Sequence, residues 1–315
     1  FIKTKLMKNY HSFCFALLIC VFAVSCKRKN ADVAFVNEQT ERNNQEIQSY
    51  IAQKGLIMEK DENGIYYQIT GSPQGNSPDT TFRHVIIKYE TRLIPSETPI
   101  DTNYSLNGNK TFTFALLNPT GNQRALITPR GIDMFMKLGS GRIFKGQKAI
   151  LLMNHTLGYG TASTPFLPPY SAIRVDLEVV DVKSESDFIL ENITSKSLVI
   201  TESKEGVAYC RTDFGSTVDF IRDSSNVTVK YIGRRVIDNS IFDANQSFTF
   251  RPIGNVIQGW RIGIPLMKKG EKGFLYIPSR LAYRNTGTAR QDGSFAIQPF
   301  DPIYFEIEVL EVTND

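Results

Sequence analysis

Histidine and cysteine are both scarce in this 315-residue chain, which has three of one and four of the other. The histidines, His11, His84 and His155, are scattered, so neither a metal site nor a Ser-His-Asp hydrolase finds support. The cysteines are Cys14, Cys20, Cys26 and Cys210; they form no CxxC pair and no disulfide framework. Gly139-Ser140-Gly141 follows a helical stretch and lacks the Lys-Ser/Thr ending of a phosphate loop. Long apolar runs are missing as well. The one clear run, Phe13 to Val24, is broken only by Cys14 and Cys20 and is too short to hold a bilayer span.

That run sits behind Lys3, Lys5 and Lys8 with no acidic residue, the order of a secretory signal. Met7-Lys8 is the better start of translation, which would make residues 1–6 an upstream extension. The ending Ala23-Val24-Ser25-Cys26 resembles a lipobox, which implies a signal peptide over 1–25 and Cys26 as the lipid attachment site. An ordinary signal with an incidental cysteine is the alternative. Without residues 1–25, Lys+Arg falls from 36 to 33 against 32 acids, so the formal charge drops from +4 to +1. A nearly neutral chain argues against nucleic acid as a partner. Lys27-Arg28-Lys29 could touch anionic head groups or simply be a solvated tail. Cys210, the one cysteine then left, reads as a small buried hydrophobe.

The remainder suits two domains. Residues 38–54 have helical spacing, with Ile47, Tyr50 and Ile51 on one face and Gly55 as the stop. Beyond them the chain contains one unit twice. ENGIYYQI (62–69) resembles KEGVAYCR (204–211), and VIIKYETR (85–92) resembles VTVKYIGR (227–234). Gly64 to Gly206, Tyr89 to Tyr231 and Asp101 to Asp243 are each 142 positions apart. Gly146 to Gly270 and Tyr159 to Tyr283 are 124 apart, so the first copy carries an insertion between these landmarks. IRVDLEVVDV (173–182) then matches IYFEIEVLEV (303–312) at 130. This is a tandem duplication, since solenoid repeats would be shorter and more numerous.

In the second copy VTVKYIG, SFTFRPI, EKGFLYI and IYFEIEVLEV read as strands. Between them Val256, Ile257, Trp260, Ile264 and Met267 recur at helical spacing, and Pro265 keeps that helix short. The expected domains are a lipid-anchored tether and helix (26–55), a first domain (56–184) and a second domain (185–315).

Residues 203–312 carry, in order, Tyr231, Phe242-Asp243, Phe248 and Phe250, and the run Val256-Ile257-Gln258-Gly259-Trp260. LMKKGEK (266–272), LYIPSRLAY (275–283), a loop with Ile297 and Pro299, and a closing strand with Phe305 follow. This order resembles the FKBP-type peptidyl-prolyl cis-trans isomerase family. The resemblance implies an α+β fold with two FKBP-like domains, each a half-open antiparallel sheet wrapped on a short helix. It also implies a proline-binding pocket and no cofactor. Trp260 would floor the pocket, with Tyr231, Phe242, Phe250, Val256, Ile257 and Phe305 as walls, and Phe248 and Ile297 completing the substrate-binding set. Tyr283 would donate its hydroxyl to a substrate carbonyl, and Asp243 would help hold the pocket. Arg284 stands where the family usually has glycine, and Gln298 replaces the first of two prolines.

The first copy keeps Tyr89, Asp101, Phe112, Phe114, Gly146, Tyr159 and Leu167-Pro168-Pro169. Counting back from Gly146 puts Met136 at the tryptophan position and Ile132-Asp133 at the Val-Ile pair. Ile100 stands for Phe242 and Val175 for Phe305, so a degenerate, weakly active or inactive pocket is expected there. The leading reading is a lipid-tethered isomerase of the bacterial envelope, on the periplasmic side of the outer membrane, acting on proline-containing polypeptides. The alternative is a non-catalytic tandem binding module. A carbohydrate-binding domain lacks the clustered exposed aromatics it would need. Client and oligomeric state are not encoded in any motif.

Overall fold

The computed structural model describes residues 32–81, 83–102, 111–116, 129–137, 139–215 and 220–314. Residues 1–25, expected to be a signal peptide, and Cys26 lie outside the described residues.

The chain is α+β, with two large antiparallel sheets. The first is built from β1 (Glu59–Lys60), β2 (Tyr66–Thr70), β3 (His84–Leu93), β4 (Pro99–Thr102), β5 (Phe112–Ala115), β6 (Lys148–Met153) and β7 (Ile173–Lys183). Its order is β1-β2-β6-β7-β3-β4, with β5 also on β3. The second uses β8 (Glu202–Lys204), β9 (Val207–Asp213), β10 (Asn226–Arg235), β11 (Ile241–Phe250), β12 (Lys272–Ile277) and β15 (Ile303–Thr313). Its order, β8-β9-β12-β15-β10-β11, is the same path. β4 and β5 together cover the edge that β11 covers alone. A small ribbon of β13 (Thr288–Ala289) and β14 (Phe295–Ile297) stands apart.

The two sheets agree in register as well as order. Val85 pairs with Phe114 and Ile87 with Phe112, as Val227 pairs with Phe250 and Val229 with Phe248. The β3–β7 ladder slips between Ile86 and Ile87, and the β10–β15 ladder slips between Thr228 and Val229, 142 positions later.

Because side chains alternate across a strand, each sheet has two apolar faces to cover. In the second, Val207, Tyr209, Leu275, Ile277 and Phe305 point to one core, where α4 (Gln258–Gly263) and a following 3₁₀ turn (Ile264–Leu266) lie. Pro265 sits in that turn, so the helix is as short as its sequence predicts. Ala208, Cys210, Tyr276 and Tyr304 point the other way, onto α3 (Glu185–Ser195) through Ile189 and Ile193. Burial pushes the Cys210 thiol up to about 11, which leaves it unreactive. The first sheet covers its inner face with α2 (Arg130–Met136) and its outer face with α1, residues 32–54.

α1 is longer than the predicted 38–54. Its first turns are exposed and carry no buried face for a periodicity to report. Within it Gln39, Asn43, Ile47 and Tyr50 are buried, at spacings of three and four.

The repeat runs further back than Gly64 and Gly206. Ile47 and Ile51 of α1 stand 142 positions before Ile189 and Ile193 of α3, packed on equivalent sheet faces. Both helices end alike. Leu56 N–H bonds to Ile51 O and Leu198 N–H to Ile193 O, with Gly55 (φ 62°) and Ser197 (φ 54°) in the left-handed region.

Candidate functional site

In the second domain the aromatic residues singled out by sequence converge on one indole. Trp260 lies in α4 and is 4% exposed. Its ring centroid is 5.1 Å from Tyr231, 5.0 Å from Phe250, 5.0 Å from Phe305 and 6.1 Å from Phe248. Most of these are edge-to-face or tilted contacts, the arrangement the ring quadrupole favours. Phe242 extends the set, 5.7 Å from Phe305 and 6.3 Å from Tyr283. Phe248 and Phe250 stack on one face of β11, two residues apart. Val256 and Ile257 precede α4 and pack half-buried against the same core, and Ile297 on β14 is buried in it. Every apolar residue proposed from sequence is therefore in one cluster, with Phe242, Phe248, Phe250, Val256, Ile257 and Tyr283 its half-open members.

Three polar groups edge this cluster. Tyr231 donates its hydroxyl to Asp243 Oδ2 at 2.7 Å, tying β10 to β11 at an otherwise exposed carboxylate. Burial, then the Asp243 bond, raise the Tyr231 pKa far above the ordinary phenol range. The Tyr283 hydroxyl has no hydrogen-bond partner among the described residues. Burial and the nearby Asp243 carboxylate raise its pKa too, so it stays a proton donor at neutral pH. The Trp260 indole N–H is buried and also unpartnered among the described residues. A wider concavity of about 460 Å³ flanks α4, but its lining is mostly charged (Lys204, Asp223, Arg261, Arg284) and shares only Val256 with the aromatic set.

One glycine decides the packing and was not singled out from sequence. Gly233 pairs with Phe305 on one side and Asp243 on the other. A Cβ there would stand 2.7 Å from Phe242 Cζ and 2.9 Å from Phe305 Cε1, closer than carbon atoms pack. The same sheet position in the first domain is Thr91, between Val175 and Asp101. Bare backbone with two phenyl rings in one copy is thus matched by threonine with Val175 and Ile100 in the other. The signal was present as VKYIGR against IKYETR.

The first domain corrects one expectation. Gly131 faces Met153, and Gly259 faces Ile277: a Cβ on either would collide with that side chain. Met153 and Ile277 end the equivalent strands β6 and β12. Gly131 therefore matches Gly259, at an offset of 128, and the tryptophan position is held by Ile132, not Met136. Asp133 matches Arg261 instead of Ile257. The four extra residues fall after α2, before Gly146, so counting ten back from Gly146 stops four residues short. Ile132 is fully buried in the first core. Asp133 is half-buried, and burial lifts its pKa to about 6. The polar edge differs as well: Tyr89 and Tyr159 both donate to Asp101 Oδ2, at 3.1 and 2.9 Å.

Residues 219–310 match the model of the FKBP-type peptidyl-prolyl cis-trans isomerase family. FK506-binding protein 1A of Aspergillus fumigatus is 35% identical over 109 residues, which span 32% of this chain and 88% of that protein. The chain belongs to the FKBP-type peptidyl-prolyl cis-trans isomerase family. The probable FKBP-type isomerase FkpA of Neisseria meningitidis serogroup B is 35% identical over 144 residues, 43% of this chain and 51% of that protein. The chain thus spans about half the length of that curated FKBP. Among solved structures, FkpA from Escherichia coli covers 52% of this chain and 70% of its own, at 23% identity and a TM-score of 0.36. At Arg284, where the family usually has glycine, the backbone keeps the glycine-like φ of 54°; the first domain has Gly160 there, at 64°.

Proposed function

We propose that this chain catalyses cis–trans isomerisation of X–Pro bonds in polypeptides, through the pocket centred on Trp260. The observation that carries this reading is an indole ringed by aromatic side chains, beside a tyrosine hydroxyl held protonated and unpaired. The reaction forms no covalent bond to the protein. Its barrier of about 18–20 kcal/mol is the lost amide resonance of a twisted peptide bond. A twisted amide is less dipolar than a planar one, so a dry aromatic site binds it better relative to water. Trp260 would support the prolyl ring, while Phe242, Phe305, Val256 and Ile257 exclude water. Tyr283 would donate to the substrate carbonyl, and Asp243 would brace Tyr231 and the pocket edge. A neutral donor of this kind contributes about 0.5–1.5 kcal/mol, so shape and desolvation are the larger share.

The first domain, with Ile132 for the indole and the Tyr159 hydroxyl engaged by Asp101, fits a weak or non-catalytic role. The leader and Cys26 support a lipid-anchored protein of the bacterial envelope, facing the periplasm from the outer membrane, with exported polypeptides as clients. Absence of fatty-acid labelling on the wild-type chain in cells would refute the anchor, and labelling that survives Cys26→Ser would refute Cys26 as its site.

The deciding experiment measures isomerisation of a proline-containing test peptide by the full chain and by Trp260→Ala. Acceleration abolished in a folded variant supports the reading. A folded wild-type chain with no acceleration would turn the assignment to a proline-segment binding module.

A further inference from the structure

In each domain the outer helix holds the loop that carries the pocket tyrosine. Asn43 of α1 accepts the His155 N–H at 3.0 Å through Oδ1. Glu185 of α3, 142 positions later, accepts the Ser279 N–H and hydroxyl, each at 2.6 Å. His155 and Ser279 are themselves equivalent, 124 apart. Each then passes the constraint on through its own carbonyl. Ser279 O accepts from Ala282 and Arg284, bracketing Tyr283; His155 O accepts from Gly158 and Gly160, bracketing Tyr159. A second loop is tied to the first, since Phe300 N–H donates to Arg284 O and Tyr170 N–H to Gly160 O.

The two clamps differ in what their end groups can donate. Asn43 is an amide, so its Nδ2 also donates to the Tyr170 carbonyl at 3.1 Å and one side chain holds both loops. A carboxylate has no donor at neutral pH, so Glu185 cannot do the same for the Phe300 carbonyl. That carbonyl is instead met at 3.1 Å by Nε2 of His84, a fully buried residue of the first domain. A carbonyl only accepts, so this nitrogen carries the proton. The neighbouring Arg83 guanidinium lies 3.8 Å over the Phe300 ring. Phe300 closes the loop that begins with Ile297 of the pocket.

We propose that His84 of the first domain is a positioning residue for the second domain's pocket, supplying in trans the donor that Asn43 supplies within the first. The first domain is then a structural part of its neighbour's site, whatever its own pocket does. This rests on the Trp260 pocket being the isomerase site, and one readout is independent of that reading. Trp260 is the only tryptophan in the chain, so its fluorescence reports this pocket alone.

The test compares wild type, His84→Leu and His84→Gln in the full chain, by far-UV circular dichroism, Trp260 emission and kcat/KM on a proline-containing tetrapeptide. Loss of a hydrogen bond of about 1 kcal/mol predicts a drop in kcat/KM of about fivefold in His84→Leu, with shifted emission. His84→Gln keeps a donor and stays within about twofold of wild type. A folded His84→Leu with wild-type emission and kcat/KM overturns the proposal. Should His84→Leu not fold, Arg83→Ala, at a half-buried position, must shift the same readouts in the same direction, and an unchanged Arg83→Ala overturns it. A wild-type chain without isomerase activity would sink the pocket assignment, while the emission comparison would still decide the positioning.

Discussion

Tyr159 donates its hydroxyl to Asp101 at 2.9 Å, and Tyr283, at the same point of the second domain, makes no such bond to Asp243. In the first domain that donor is already used within the protein; in the second it is available to a ligand. Tyr283→Phe is therefore expected to lower kcat/KM about threefold to tenfold with little change in Tm, the worth of one neutral hydrogen bond. Tyr159→Phe should leave activity unchanged and cost about 1 kcal/mol of stability. Peptide isomerisation beside thermal unfolding of each variant checks both.

Trp260→Ala removes the hub of the second core, and truncations of this kind cost about 3–5 kcal/mol. The fall in activity should exceed 100-fold even at temperatures where circular dichroism shows the variant folded, because rate depends on the lost surface and not on residual stability. Residual acceleration above a tenth of wild type would mean that the first domain carries a substantial share.

Gly233→Thr would drive a Cβ into Phe242 and Phe305. Overpacking of this sort costs about 1–3 kcal/mol, and activity should fall with it. The triple change Gly233→Thr, Phe242→Ile, Phe305→Val copies the Thr91, Ile100 and Val175 set of the first domain. Stability should recover in the triple variant while activity does not, read by urea unfolding and the peptide assay.

His84 supplies a pH signature. Burial depresses its pKa to about 4, against about 6.5 for an exposed histidine. The unfolded chain takes up a proton below pH 6.5 that the folded chain refuses until about pH 4, so this stabilisation is full above 6.5 and is lost as pH falls to 4. The advantage of wild type over His84→Gln should shrink by up to about 3 kcal/mol over that window. Denaturant unfolding at pH 7, 5.5 and 4 measures it. An advantage that does not change with pH would mean that the buried imidazole is not the titrating group.

Much of the site was legible because it rests on local order. Tyr231, Phe242, Phe248, Phe250, Trp260 and Phe305 were marked by the resemblance to the FKBP family, whose short motifs stand in order along the chain, and the constant offset of 142 gave the pairing of the two copies. Counting failed where an insertion hid between landmarks, so Met136 was assigned a place that Ile132 holds. Gly233 was passed over since a glycine in a strand announces nothing until the two rings that fill its space are known. Asn43, Glu185 and His84 are polar residues without a motif; their partners lie 94 to 216 positions away.

What the sequence by itself determined was the duplicated α+β plan, written in periodicities of two and 3.6 residues and in a constant repeat offset, while the aromatic set was marked by the order of short motifs that resembles the FKBP family. Tertiary structure decided which side chains share a hydrogen bond. It tied Tyr159 to Asp101 and set His84 of one domain against a carbonyl of the other. Those choices depend on distances between segments remote in the chain, and a hydrogen bond is lost within a few tenths of an ångström, which no spacing in a sequence can specify.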